Sequence, residues 1–233
     1  MPPTKTALLV IDVQRGILDI PNLARKKEID QALDETVARI TGLIDRARTA
    51  SVPVIYIQHD GGRGHRLEPG TSGWALRAEI APQPSDPLIH KRACDAFFKT
   101  TLEAELVAAG ITRLVICGCM TQYCIDTTVR RAVGLGYDVV LAADGHTTAD
   151  TSTLRFGRGD RRHAICGEAT WPVGVSFWGL RRNQIQAILQ LVIMRSSRYI
   201  SPLQTCWIEG RACPRRYLSV LPSHVRANLF GSD

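Results

Sequence analysis

No part of the 233-residue chain approaches the roughly 20 consecutive apolar residues that a membrane span requires. No transmembrane helix and no membrane partner are therefore expected. The N-terminus, "MPPTKTALLVIDVQ", has five apolar residues in a row before Asp12 and no small-residue cleavage pattern, so no signal peptide is expected. Cysteines number seven, an odd count without framework-like spacing. That excludes a disulfide scaffold and points to free thiols in a reducing cytoplasm. The spacing Cys117-x-Cys119-x4-Cys124 fits no structural zinc pattern, and no second pair lies at a suitable distance. Lysine is missing altogether after residue 154.

That last absence divides the chain. The net charge of +7 is not spread evenly: residues 1–154 carry 17 Lys and Arg against 18 acids, whereas residues 155–233 carry 12 Arg against four acids. A basic segment invites a nucleic-acid reading. The arginines are scattered rather than striped along a helix, and no nucleic-acid-binding motif accompanies them, so no specific nucleic-acid partner is expected.

What is present in the first 150 residues is an alternation of two periods. "ALLVIDV" (7–13) is an apolar run ending in charge, as expected for a strand buried on both faces. Ile29, Leu33, Val37, Ile40 and Ile44 then recur at helical spacing. "VPVIYIQ" (52–58), "RLVICG" (113–118) and "DVVLAAD" (138–144) read as further strands. "TLEAELVAAGI" and "QYCIDTTVRRAVGLG" read as helices stopped by Gly110 and Gly136. Apolar-run strands alternating with helices predict a three-layer, doubly wound, mostly parallel α/β sheet. A long Gly/Pro-rich insertion, "HDGGRGHRLEPGTSGWALRAEIAPQPSDP", separates the second strand from "TLEAEL". Loops of that length in compact domains usually serve function.

Open parallel sheets bind ligands at the carboxyl ends of their strands. Three chemistry-bearing segments fall there: Asp12, Lys91 after the short "PLIH" strand, and "GCMTQYC" after "RLVIC". Cys124 opens a predicted helix, where exposed N–H groups and the helix dipole favour a thiolate. Lys91 nearby would favour it further, and Asp12 could take the thiol proton and pass it to a leaving group. Each residue also has a bland reading. A buried cysteine is usually a small hydrophobe, and Cys94 and Cys117 are read that way. Asp12 alone could be a cap and Lys91 a solvated charge.

Taken together, "LLVIDVQ", "PGTSGWALRAEIAP", "HKRACDAFFKT" and above all "GCMTQYCIDTTVRRAVGLGYDVVLAADGHTT" resemble the isochorismatase-like cysteine hydrolases over about residues 6–153. The resemblance implies a catalytic triad of Asp12, Lys91 and Cys124. It also implies a cis peptide at Cys119–Met120 that turns the N–H groups of Met120 and Cys124 toward one point, an oxyanion hole. Cys124 becomes the nucleophile and Cys119 structural. Members that cleave the isochorismate vinyl ether have no cysteine there, so the implied reaction is hydrolysis of a small non-peptide amide through a thioester. The nicotinamidase branch carries a metal site built from an Asp-x-His pair and a second histidine. "QHDGGRGH" departs from that spacing, so no metal or other cofactor is expected. The streptothricin hydrolase branch fits the loop better. Gln14, Trp74 and Tyr123 are candidates for lining the substrate pocket, with Trp74 equally readable as a loop anchor. A homo-oligomer is implied.

The resemblance stops after "DTSTL", which sets the expected boundary between a hydrolase domain over residues 1–154 and an Arg-rich segment over 155–233. Back-translated and read one base later, residues 155–162 permit Ala-Ser-Ala-Glu-Ala-Ile-Val-Ala, the kind of helix the family places there. A shifted reading frame is therefore expected from about Arg155, a point that re-reading the coding DNA decides. On that reading the closing helix and edge strand would be missing, with "NQIQAILQLVIM" (183–194) a substitute helix.

Overall fold

A computed structural model describes residues 4–20, 25–150 and 175–178. Six strands form one sheet: β1 (Thr6–Ile11), β2 (Val54–His59), β3 (Leu88–Lys91), β4 (Arg113–Cys119), β5 (Asp138–Thr147) and β6 (Val175–Trp178). Their order is β3-β2-β1-β4-β5-β6, and each adjacent pair is parallel. Helices α1 (Lys26–Thr49), α2 (Leu102–Ala108) and α3 (Asp126–Gly134) supply the outer layers. This is the doubly wound parallel sheet that the apolar runs predict.

The reason lies in the pleat. Successive residues of β1 point to opposite faces, and both faces are covered. Leu8 and Val10 join one core with Ile29, Leu33, Val37, Ile40 and Ile44 of α1. Ala7, Leu9 and Ile11 join the other with Leu102 and Leu106 of α2 and Val129 of α3. Each fully buried Leu, Ile or Val contributes roughly 1.5–3 kcal/mol of gross hydrophobic stabilisation, so the five α1 positions fix that helix on the sheet. Among the described residues, no helix is long and apolar enough to cross a membrane.

The long insertion is tied down rather than free. Gln14 and Leu76 form an antiparallel bridge, and Leu67 and Ile80 are buried in the α1-side core. One expectation is corrected at the sheet edge. Instead of ending at β5, the sheet adds β6, with Val139 opposite Val175 and Ala142 opposite Trp178. "VSFW" is β-branched and aromatic, the composition that pairs well on an edge. The remaining expectations for residues 155–233, the shifted frame and the helix over 183–194 included, lie outside the described residues.

Candidate active site

The strand order reverses at the centre of the sheet: β2 and β3 lie to one side of β1, and β4 to β6 to the other. Loops leaving the carboxyl ends of β1 and β4 therefore diverge and open a crevice between them. Asp12 is the first residue after β1, Cys119 ends β4, and Lys91 ends β3. Asp12 turns off the strand with φ 52°, a left-handed conformation uncommon for a non-glycine residue. After β4 the peptide Cys119–Met120 is cis. Residues Thr121–Ile125 then form a π-type turn, with the Ile125 N–H bonded to Met120 O, before α3 begins. The sequence places Cys124 at an α-helix start; the structure places it inside that wider turn, a geometry common at functional sites.

The three expected side chains meet. Lys91 Nζ lies 2.6 Å from Asp12 Oδ2, with both side chains fully buried. The same ammonium donates to Cys124 Sγ at 3.2 Å and to Ala93 O at 3.0 Å. Asp12 and Cys124 thus share Lys91 as their common partner. Burial, with the Cys124 charge adding, pushes the Asp12 carboxyl well above the usual carboxylate range, and Lys91 only partly offsets this. Burial pulls Lys91 down, but the Asp12 and Cys124 charges outweigh it and the ammonium titrates above its ordinary value. The result is a fixed cation beside two groups able to exchange one proton, which is what acid–base and thiol chemistry need.

The other expected residues have definite places. Gln14 is fully buried, and both its Nε2 N–H groups are spent on backbone: His59 O at 3.0 Å and Trp74 O at 2.8 Å. Its Oε1 accepts the His59 N–H at 3.0 Å. It thus joins the ends of β1 and β2 to the insertion and has no donor left for a ligand. Trp74 donates its indole N–H to Asp60 Oδ1 at 2.8 Å and stacks on His90, with ring centroids 5.7 Å apart. That is the anchoring role. Tyr123 is 45% exposed beside Cys124. Cys117 and Cys119 are buried, and burial pushes both thiols up.

Cys94 corrects the sequence reading. It is exposed rather than a buried filler, and the Thr128 hydroxyl donates to its backbone carbonyl at 3.4 Å. Its position three residues past Lys91 was the available signal, because Lys91 Nζ bonds Ala93 O at 3.0 Å and so holds the turn that follows the strand beside the site. His59 is the other residue not singled out: its Nδ1 lies 3.4 Å from Lys91 Nζ. Among the described residues, no group of three His, Cys, Asp or Glu side chains converges as metal ligands would.

Burial, with Lys91 and His65 adding, lowers the His59 pKa from 6.5 to about 4. Above pH 6.5 the folded and unfolded chains bind the same number of protons at this ring. Below it the unfolded chain takes up a proton that the folded chain refuses, so stability falls as pH drops from about 6.5 to 4. We expect His59→Gln to lose less stability than wild type between pH 7 and pH 4.5 in urea titrations. Equal losses in the two proteins would remove His59 from the acid response.

The isochorismatase domain model matches residues 6–164. Streptothricin hydrolase of Streptomyces noursei is 40% identical over 148 residues, covering 62% of this chain and 50% of its own. A ureidoacrylate amidohydrolase of Agrobacterium fabrum is 30% identical over 177 residues, covering 61% of this chain and 75% of its own. The crystal structure of an isochorismatase from Pseudomonas putida superposes with a TM-score of 0.58 at 33% identity, covering 65% of this chain and 77% of its own. The chain spans about half the length of the streptothricin hydrolases it matches.

Proposed function

The chain belongs to the isochorismatase family, and on that footing we propose that it is a hydrolase of small non-peptide amides that works through a thioester on Cys124. The observation that carries this reading is the convergence of Asp12, Lys91 and Cys124 within hydrogen-bonding distance at the switch point of the sheet. Two relatives bear names of matching chemistry, a streptothricin hydrolase and an amidohydrolase.

In this reading Cys124 Sγ attacks the amide carbonyl carbon as its proton passes to Asp12. The carbonyl oxygen becomes an oxyanion held by the N–H groups of Met120 and Cys124. Collapse breaks the C–N bond, and Asp12 gives its proton to the departing nitrogen, releasing ammonia or an amine. A water then attacks the thioester, surrendering a proton to Asp12, and the acid leaves as the thiol is restored. Lys91 stays charged throughout. It holds Asp12 in place and stabilises the sulfur anion, so neither acid–base partner has to be built during the reaction. The raised Asp12 pKa suits this shuttle, because a carboxyl that keeps its proton longer can donate it to a leaving amine.

A panel of streptothricin, ureidoacrylate and simple primary amides, followed by ammonia or amine release, tests the reaction class. Hydroxylamine added to a turnover mixture intercepts a thioester as a hydroxamate. We expect hydroxamate to form at the expense of the acid. Turnover that yields the acid and no hydroxamate at any hydroxylamine concentration would exclude the thioester route.

A further inference from the structure

Four acceptors surround one ammonium. Lys91 Nζ stands 2.6 Å from Asp12 Oδ2, 3.0 Å from Ala93 O, 3.2 Å from Cys124 Sγ and 3.4 Å from His59 Nδ1. An ammonium has three N–H groups, so one acceptor is in excess. The three shorter contacts occupy the donors, and His59, the most distant, is the spare. Strand register puts it there: His59 and Lys91 are partners across the parallel β2–β3 pair, so their side chains leave the sheet on the same face. Gln14 pins the His59 backbone, its Oε1 accepting the N–H and its Nε2 donating to the carbonyl, each at 3.0 Å. The lysine side chain is fully buried, so bulk water offers it no substitute acceptor.

We propose that His59 is a positioning residue for the second half of the reaction: its Nδ1 takes up the Lys91 N–H that Cys124 releases once its sulfur is acylated. The sulfur anion that attacks is a strong, charge-assisted acceptor. A thioester sulfur carries no charge and accepts weakly, as a thioether does. The ammonium is then left with a donor to place. Without His59 the charged acceptor at hand is Asp12, and a second hydrogen bond there would hold it as the carboxylate, a poorer base for the water proton. With His59 the ammonium keeps its place, and Asp12 stays free to take that proton. The proposal rests on the thioester reading above and gives a task to a residue which that reading leaves idle.

The protonation state of the ring suits this role. A lysine ammonium only donates, so Nδ1 carries the lone pair and Nε2 the proton. Burial and the Lys91 charge hold the His59 pKa down to about 4, so the acceptor is present at neutral pH. A protonated ring would set a second cation against Lys91 and offer it nothing. The neighbouring histidines do not stand in. His65 has its ring centroid 6.0 Å from that of His59, and its Nδ1 accepts the Leu67 N–H at 3.1 Å. His90 Nδ1 is engaged by Asp60 Oδ1 at 3.0 Å.

The test separates the two halves of the reaction with p-nitrophenyl acetate, mixed with reduced full-length protein in a stopped flow at pH 7. Cys124 takes the acetyl group and p-nitrophenol leaves with the thiol proton, giving a burst. Water then frees acetate and sets the steady-state rate. Quenched samples are digested with trypsin, which places Cys124 in peptide 114–130, and fragment ions locate the acetyl group. In His59→Leu we expect a burst rate within about threefold of wild type. Its steady-state rate should fall by about tenfold or more, with acetyl-Cys124 accumulating. His59→Asn, whose side-chain oxygen stands close to the place of Nδ1, should recover most of the steady-state rate. A merely structural histidine would move burst and steady state together, or would find no rescue in asparagine, and either result overturns the proposal. So would equal steady-state rates in His59→Leu and wild type, which leave the thioester reading standing. A wild-type protein with no acetyl group on Cys124 would remove that reading, and the proposal with it.

Discussion

Cys124→Ala is expected to lower amide turnover at least about 10³-fold while leaving the protein folded. The size of the effect follows from chemistry: without a nucleophile there is no thioester, and a water oriented by Asp12 alone lacks the covalent route. The fold should survive because the site loses one sulfur, not the cation's main partner. Lys91 keeps Asp12 Oδ2 at 2.6 Å and Ala93 O at 3.0 Å. Asp12 is also relieved, since the Cys124 charge is among the influences that raise its pKa. Cys117→Ala is the matched control. Its thiol lies in the core on the α1 side, donating to Leu9 O at 3.4 Å. Both variants remove one buried sulfur, so a general packing effect would reduce their activities alike. We expect Cys117→Ala to keep turnover within about threefold of wild type, which corresponds to under 1 kcal/mol in the barrier. A Cys124→Ala protein that retained a tenth of the wild-type rate would remove the nucleophile assignment.

What the sequence revealed divides along physical lines. Periodic burial was legible: Ile29, Leu33, Val37, Ile40 and Ile44 recur every three to four residues and all face one core. The β1 run is apolar throughout because its two faces meet two different helix layers. Asp12 and Lys91 were legible because a charge that ends an apolar strand must reach either solvent or a site, and a parallel sheet gathers strand ends at one edge. Gln14, Trp74 and Cys94 were not legible in the same way. Gln14 is occupied by the backbone of residues 59 and 74, and those partners depend on how a loop 60 residues away folds back. Cys94 is placed by hydrogen bonds from Lys91 and Thr128, to which no periodicity points. The π-type turn over Thr121–Ile125 has no propensity signature of its own. Side-chain type and spacing identify which residues can do chemistry, whereas loop hydrogen bonds decide which of them touch.

Gly118→Ala should be the most damaging single-methyl change near the site, costing on the order of 4 kcal/mol in a urea titration. Gly118 lies in β4, opposite Ile11 of β1 and His146 of β5, with φ at +126°. A side chain there faces two penalties at once. L-residues rarely adopt that φ, and a Cβ would stand 2.0 Å from Ile11 O and 2.7 Å from Ile11 N. Those are backbone atoms of the central strand, so no rotamer change relieves the clash, and β1 and β4 must part. They would part at the point where Asp12 leaves β1 and where Cys119 leads into Cys124. Turnover per folded molecule should therefore fall together with stability, because the distances joining Asp12, Lys91 and Cys124 depend on that strand spacing. Gly134→Ala separates this close approach from a general intolerance of glycine replacement. Gly134 ends α3 with nothing within 4 Å of an added Cβ. There alanine restricts the unfolded chain and should stabilise by about 0.4–1 kcal/mol. If Gly118→Ala unfolded at the same urea concentration as wild type, the tight β1–β4 contact would not be what fixes the site.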